Sequence, residues 1–234
     1  RMMFEESLVG MAMVSPDGKF MNVNRRLCEM LRYSREELSS MTFLDITHPD
    51  DVDLDMGFIQ RVMAGEIDTY VIEKRNIRRD GGVIWVRMNS SVVRAGDGSV
   101  KYAIPVIEDI TERKNGEEIL RLRNAAVTAA VNGIVITDRD GIIIWSNPAF
   151  TELTGFTPAD AIGKNPRELV KSGLQDSEFY KIMWDTILSG EVWRGELVNR
   201  RKDGSLYTEE MTITPVKDDA GRVTQFIAVK QDIT

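Results

Sequence analysis

Two copies of a small α+β domain, each a five-stranded antiparallel sheet with helices over one face, are the fold that this sequence predicts. Three observations carry that expectation. The chain matches itself at a shift of 123 residues: Gly10 falls on Gly133, Asn24 on Asn147, Asp80-Gly81 on Asp203-Gly204, and Asp109-Ile110-Thr111 on Asp232-Ile233-Thr234. A shift held from end to end marks a repeat. Short apolar runs flank Asp-Gly pairs, which is the signal of tight hairpins. Helical stretches separate the first two strands of each copy from the last three, so an antiparallel sheet with its helices gathered on one face is the economical packing.

The elements follow in the same order in both copies. GMAMV and KFMNV surround Asp17-Gly18, and GIVIT and IIIWS surround Asp140-Gly141, giving the first hairpin of each copy. Asn24 and Asn147-Pro148 open short helices, and Ser34 and Thr157-Pro158 open the next ones, because their side-chain oxygens can accept from unpaired helix N–H groups. Longer helices are expected over about 50–64 and 176–189, each followed by a glycine, Gly65 and Gly190, in the place that ends a helix. Three strands complete each copy. The domains are thus expected at 1–111 and 131–234, with a helical linker at 112–130. In the linker Ile119, Leu122, Ala126 and Ala129 recur at helical spacing, and Glu117 with Arg121 forms an i, i+4 pair. That stripe serves either to cover its own domain or to form a dimer contact.

Composition narrows the function classes. With 234 residues and 42% hydrophobic side chains the chain can bury ordinary cores. No run approaches the ~20 apolar residues of a membrane span, and a cytoplasmic location is expected. The lone Cys28 excludes an internal disulfide and any cysteine-based zinc site. A net charge of -7 argues against nucleic acid, since the two basic runs, Arg75 to Arg79 and Arg200 to Lys202, each adjoin an Asp-Gly turn and read as solvated hairpin ends. No catalytic triad, metal-ligand cluster or phosphate-cradling loop is present, so the segment reads as non-enzymatic. His48, the single histidine, could suggest haem, but THPDD is a helix-start sequence and a capping or surface role is the expectation.

The order of elements ending in DIT resembles the PAS family across nearly the whole chain. The resemblance is carried by VNRRLCEMLRYSREEL, SNPAFTELTGFTPADAIGKN, FLDITHPDD, RRDGGVIWV, RRKDGSLY and the terminal EDIT and QDIT. It implies sensory modules with a pocket between sheet and helices, signalling through helices that flank the DIT. The apolar seam of the linker leads to an expected homodimer, and an output domain absent from this chain is expected, a histidine kinase, a diguanylate cyclase or a methyl-accepting protein. The fold alone leaves the ligand open.

A narrower resemblance covers residues 133–234. The runs GKNPRELVKSG and FYKIMWDTILSGEVWRGELVNRRKDGSLYTEEMTITPV are similar to the FAD-binding PAS domains of bacterial redox sensors, and more distantly to the flavin-binding LOV photoreceptors. The resemblance implies Trp193 beside a flavin ring, Asn199 and Glu209 at its polar edge, and Asn165 and Arg167 toward the ribityl and phosphate side. Pro166 stands where the reactive LOV cysteine would be, and Lys230 where a glutamine would be. The residues themselves point the same way: an amide and a carboxylate on an inner sheet face need partners in a dry cavity, at a cost of about 1–3 kcal/mol for each unmet group. A flavin supplies donors, acceptors and an apolar ring system. Copy one keeps Asn76 in the Asn199 place but has Val86 for Glu209 and Thr42 for Asn165, so no cofactor is expected there; its pocket is expected either to be filled by side chains such as Met11, Met13 and Met30 or to bind something unspecified. The alternative for the whole chain is a ligand-free dimerisation and relay module.

Overall fold

The computed structural model describes residues 2–234. The first copy runs α1 (Met2–Glu5), β1 (Gly10–Val14), β2 (Phe20–Val23), α2 (Arg25–Leu31), α3 (Arg35–Ser39), α4 (Phe43–Ile46), α5 (Val52–Met63), β3 (Thr69–Ile77), β4 (Val83–Arg94) and β5 (Val100–Asp109). Helix α6 (Thr111–Thr128) follows. The second copy runs β6 (Gly133–Asp138), β7 (Ile143–Ser146), α7 (Pro148–Thr154), α8 (Pro158–Ala161), α9 (Pro166–Leu169), α10 (Ser177–Leu188), β8 (Trp193–Arg200), β9 (Leu206–Lys217) and β10 (Val223–Asp232). The chain divides into two compact units between Ile119 and Leu120, inside α6.

Each unit is one antiparallel sheet with the same topology, β2-β1-β5-β4-β3 in the first and β7-β6-β10-β9-β8 in the second. The α+β fold class read from the repeat is therefore the observed one. The repeated asparagines explain how the first hairpin is tied to the helices. Asn24 Oδ1 accepts from Met11 N at 2.9 Å and Leu27 N at 3.0 Å, and Asn147 Oδ1 accepts from Ile134 N at 2.8 Å and Phe150 N at 3.1 Å. One amide both caps a helix and fastens the first strand beneath it. His48 caps the short turn Pro49–Asp51, its Nδ1 accepting from Asp50 N at 3.3 Å.

Period-two alternation decides what enters each core. In β1, Gly10, Ala12 and Val14 face inward, which puts Met11 and Met13 on the opposite face. The expectation that these two methionines fill the first pocket is corrected by this register; Met30 does reach the core. The space is taken instead by Phe43, by Tyr70 stacked on Phe58 at 5.0 Å, and by the buried pair Lys74–Asp55. A cavity of about 70 Å³ remains there. By sequence correspondence, Pro166 and Met183 stand in the second copy where Phe43 and Phe58 stand in the first.

Candidate functional site

In the second unit the inner face of the sheet and helix α10 enclose a cavity of about 340 Å³. Its walls follow from two periodicities. On α10, Tyr180, Met183, Trp184 and Ile187 recur at i, i+3, i+4 and i+7 and form one stripe toward the sheet. On the strands, Leu197 and Asn199 of β8, Met211 and Ile213 of β9, and Phe226, Ala228 and Lys230 of β10 alternate inward.

The polar end of the cavity is a buried cluster. Asn199 pairs with Tyr207 in the β8–β9 ladder and Leu197 pairs with Glu209, so Asn199 and Glu209 are diagonal neighbours on one face. Asn199 Nδ2 donates to Glu209 Oε1 at 3.0 Å, and Lys230 Nζ donates to the same oxygen at 2.6 Å. Lys230 Nζ also lies 3.2 Å from Met211 Sδ. Glu209 is fully buried, and Asn199 and Lys230 are nearly so. Glu209 Oε2 and the Tyr207 hydroxyl have no hydrogen-bond partner. Burial, reinforced by the Glu209 carboxylate, pushes the Tyr207 phenol well above its ordinary pKa, so it stays protonated. Tyr180 is shifted the same way, by burial first and then by Glu209.

The mouth has a different character. Arg167, Lys171 and Lys181 are exposed there, and with the buried Lys230 of the polar end every charged side chain among the described residues lining the cavity is basic. Lys171 Nζ lies 4.5 Å from the Tyr180 ring centroid. Asn165 caps α9, its Oδ1 accepting from Arg167 N at 3.2 Å, while its Nδ2 donates to Asp140 O at 3.3 Å. Gly141 is required beside it. Its φ of +80° is left-handed, and a Cβ there would sit 2.8 Å from Trp184 Cη2 and 2.9 Å from Asn165 Nδ2.

Of the five residues singled out from sequence, Asn165, Arg167 and Asn199 line the cavity. Glu209 lies behind the wall and reaches it through Asn199 and Lys230. Trp193 is buried but is not a wall residue; its ring crosses Gly195, where a Cβ would come within 2.6 Å of it, and meets Phe179 edge-on at 5.6 Å. The tryptophan on the wall is Trp184, set edge-on to Phe226 at 5.9 Å. Sequence reading passed over Trp184, Lys171, Lys181 and the partner role of Lys230. The signals were present in the stripe of α10 and the inward alternation of β10. Among the described residues no group of His, Cys, Asp and Glu is placed to hold a metal ion, and no helix is long and apolar enough to cross a membrane.

A five-stranded antiparallel sheet of this strand order, with a cavity under its helices, defines a class of small α+β domains. The comparisons supply the family. A family model described as "PAS domain" matches residues 131–234, and one described as "PAS fold" matches residues 20–107. The chain belongs to the PAS family and consists of two PAS domains in tandem, a sensory signalling module. It is 31% identical over 237 residues to "Probable diguanylate cyclase DgcE" of Escherichia coli (strain K12), covering 98% of this chain and 21% of that protein. It is 40% identical over 108 residues to "Nitrogen fixation regulatory protein" of Klebsiella oxytoca, covering 46% of this chain and 22% of that protein. An RNA-binding light-oxygen-voltage receptor of known structure aligns over 97% of this chain and 96% of its own at 15% identity, with a TM-score of 0.46. The chain spans about a fifth of the length of these curated relatives.

Proposed function

We propose that the second PAS domain binds FAD non-covalently and reports redox state or oxygen, and that α6 and the DIT end of β10 pass the signal toward an output domain elsewhere in a longer protein. The observation that carries this reading is the cavity itself. Its volume of about 340 Å³ falls within the range of ligand sites, roughly 300–1,000 Å³. The residues fit the group. Apolar side chains and Trp184 would take the fused rings; Asn199 and Lys230, backed by Glu209, would meet their polar edge; Arg167 with Lys171 and Lys181 would hold the phosphates. Glu209, behind the wall, holds Asn199 and Lys230 in place for that edge through its Oε1.

Bound FAD supplies reversible electron transfer accompanied by a change of charge and protonation. The protein's part is to hold that change in a dry site and to register it. Lys230 is two residues from Asp232, whose carboxylate accepts from Arg201 Nη2 at 2.7 Å and from Thr234. Thr208, next to Glu209, donates its N–H to Thr234 Oγ1 at 3.0 Å. The cluster and the DIT end are thus held by adjacent residues of β9 and β10. Only a difference in stability between two arrangements of these contacts can carry a signal. The similarity to a cyclase far longer than this chain supports an output domain of that general kind.

A second reading, a ligand-free dimerisation and relay module, is favoured by α6. None of its side chains is buried, and Ile119, Leu120, Leu122 and Val127 are exposed along it. Titrating the protein with FAD while following flavin fluorescence separates the two. Saturable binding is expected, weakened at least about tenfold in a Lys171→Ala/Lys181→Ala variant, since a charge-assisted contact contributes about 1.5–3 kcal/mol. Absence of saturation would leave the ligand-free module standing.

A further inference from the structure

The cavity of the second domain is electrostatically one-sided. Lys230 belongs to its wall, whereas Glu209, the counter-ion of that lysine, lies behind the wall. The pair sums to zero charge, yet its positive end faces the cavity. Among the described residues no wall carboxylate reverses that sign, and the phenols nearest the pair, Tyr207 and Tyr180, stay protonated because burial and the Glu209 charge raise their pKa values. The lysine is also firmly placed. It sits on the central strand β10, opposite Gly133 of β6 and Met211 of β9, and a Cβ on Gly133 would come within 3.6 Å of Lys230 Cβ. Of the three N–H groups of its ammonium, one serves Glu209 Oε1 at 2.6 Å and one meets Met211 Sδ at 3.2 Å, a weak acceptor.

We propose that Lys230 sets the balance between oxidised and reduced flavin in this site, favouring the reduced ring as an anion. This rests on the assignment of FAD to the second domain. Reduction by two electrons from a low-potential donor, with one proton taken from solvent, leaves the ring with one net negative charge. In a dry cavity a fixed charge acts on that anion far more strongly than it would in water. The anion meets the positive end of the Lys230–Glu209 pair first, so its attraction to Lys230 exceeds its repulsion by Glu209. The uncharged oxidised ring gains no such attraction. Only the difference between the two forms moves their equilibrium, and Lys230 supplies that difference. Arg167, Lys171 and Lys181 act in the same sense but are exposed at the mouth, where solvent and salt screen them. Glu209 moderates the lysine, because without it the full ammonium charge would face the ring.

The test is the midpoint potential of FAD bound to the full 234-residue chain, read by absorbance against a reference dye during anaerobic reduction with dithionite above neutral pH. Lys230→Gln keeps an amide donor for Glu209 and removes the cation. It should cut the preference for the reduced form at least about tenfold, a fall of about 30 mV for a two-electron couple. Glu209→Gln, which unmasks the lysine, should raise the potential. A purely structural role for the pair would move both variants the same way, so the opposite signs carry the test. Where a single variant fails to fold, Lys230→Gln/Glu209→Gln, which leaves no charge of the pair buried, still decides, with a potential expected below that of the unaltered chain. A potential in Lys230→Gln or in the double variant equal to or above that of the unaltered chain would overturn the role of Lys230 while leaving FAD assigned. Failure of the unaltered chain to take up FAD would overturn both.

Discussion

Lys230 Nζ and Glu209 Oε1 stand 2.6 Å apart with almost no exposure, a geometry in which each charge depends on the other. Removing one partner strands the other in low dielectric, so Lys230→Met should cost about 3–5 kcal/mol of stability in the second domain, measured by urea unfolding. Adding Glu209→Leu should recover most of it; a neutral single variant would show that the pair is not formed. Tyr70 gives a pH prediction. Burial first, and then the nearby Asp55 charge, raise its pKa from 10.0 to about 12. For an acid whose folded pKa is raised, the added stability is fully present below the unfolded value. It is then lost as pH climbs from about 10 to about 12. Spectrophotometric phenol titration should therefore lose a late-ionising group in Tyr70→Phe, whereas an unchanged late phase would exclude Tyr70 as its source. At this scale the sequence was partly legible. Asn199 and Glu209 announced themselves as polar residues on an alternating strand, but their meeting with Lys230 depends on the β9–β10 pairing, in which Glu209 lies opposite Asp232 and Met211 opposite Lys230. Strand pairing of that kind is a long-range fact that local pattern does not carry.

Helix α10 and the β6–β7 turn shape the cavity as elements. Trp184→Ala should weaken FAD retention by about 1–3 kcal/mol if aromatic stacking has its usual worth, with the fold kept. Trp193→Ala should instead act on stability, about 3–5 kcal/mol as for other buried large-to-small changes, because its ring packs on Gly195 and Phe179 behind the wall. Isothermal titration beside thermal melting separates the two variants, and the reverse pattern would move the ring's neighbour back to Trp193. Gly141→Ala should lower stability by more than about 1 kcal/mol through its positive φ and displace Trp184 or Asn165 from the wall. Elements were the most legible level: capping asparagines, Asp-Gly hairpins and the glycine-terminated helices each rest on local chemistry. The mistaken methionines, Met11 and Met13, show the limit, since a strand's face inverts with a one-residue change of register and β1 has no local cue beyond Gly10 to fix it.

For the whole molecule, the repeat made the architecture readable, while the difference between the copies was not. It arises where Phe43 and Phe58 fill the first core and Pro166 and Met183 leave the second open, a volume effect visible only once the helices are packed. The exposed apolar residues of α6 lead to a proposed homodimer: light scattering at micromolar concentration should give about twice 26.5 kDa, and a particle of 26.5 kDa alone would exclude it. The decisive measurement is the flavin content of protein mixed with excess FAD and passed through gel filtration. One FAD per chain is expected, lost in Asn199→Ala/Trp184→Ala, because one domain has the room and the polar end to hold it. A chain that emerges without flavin, or with two per chain, would refute the assignment of FAD to the second domain.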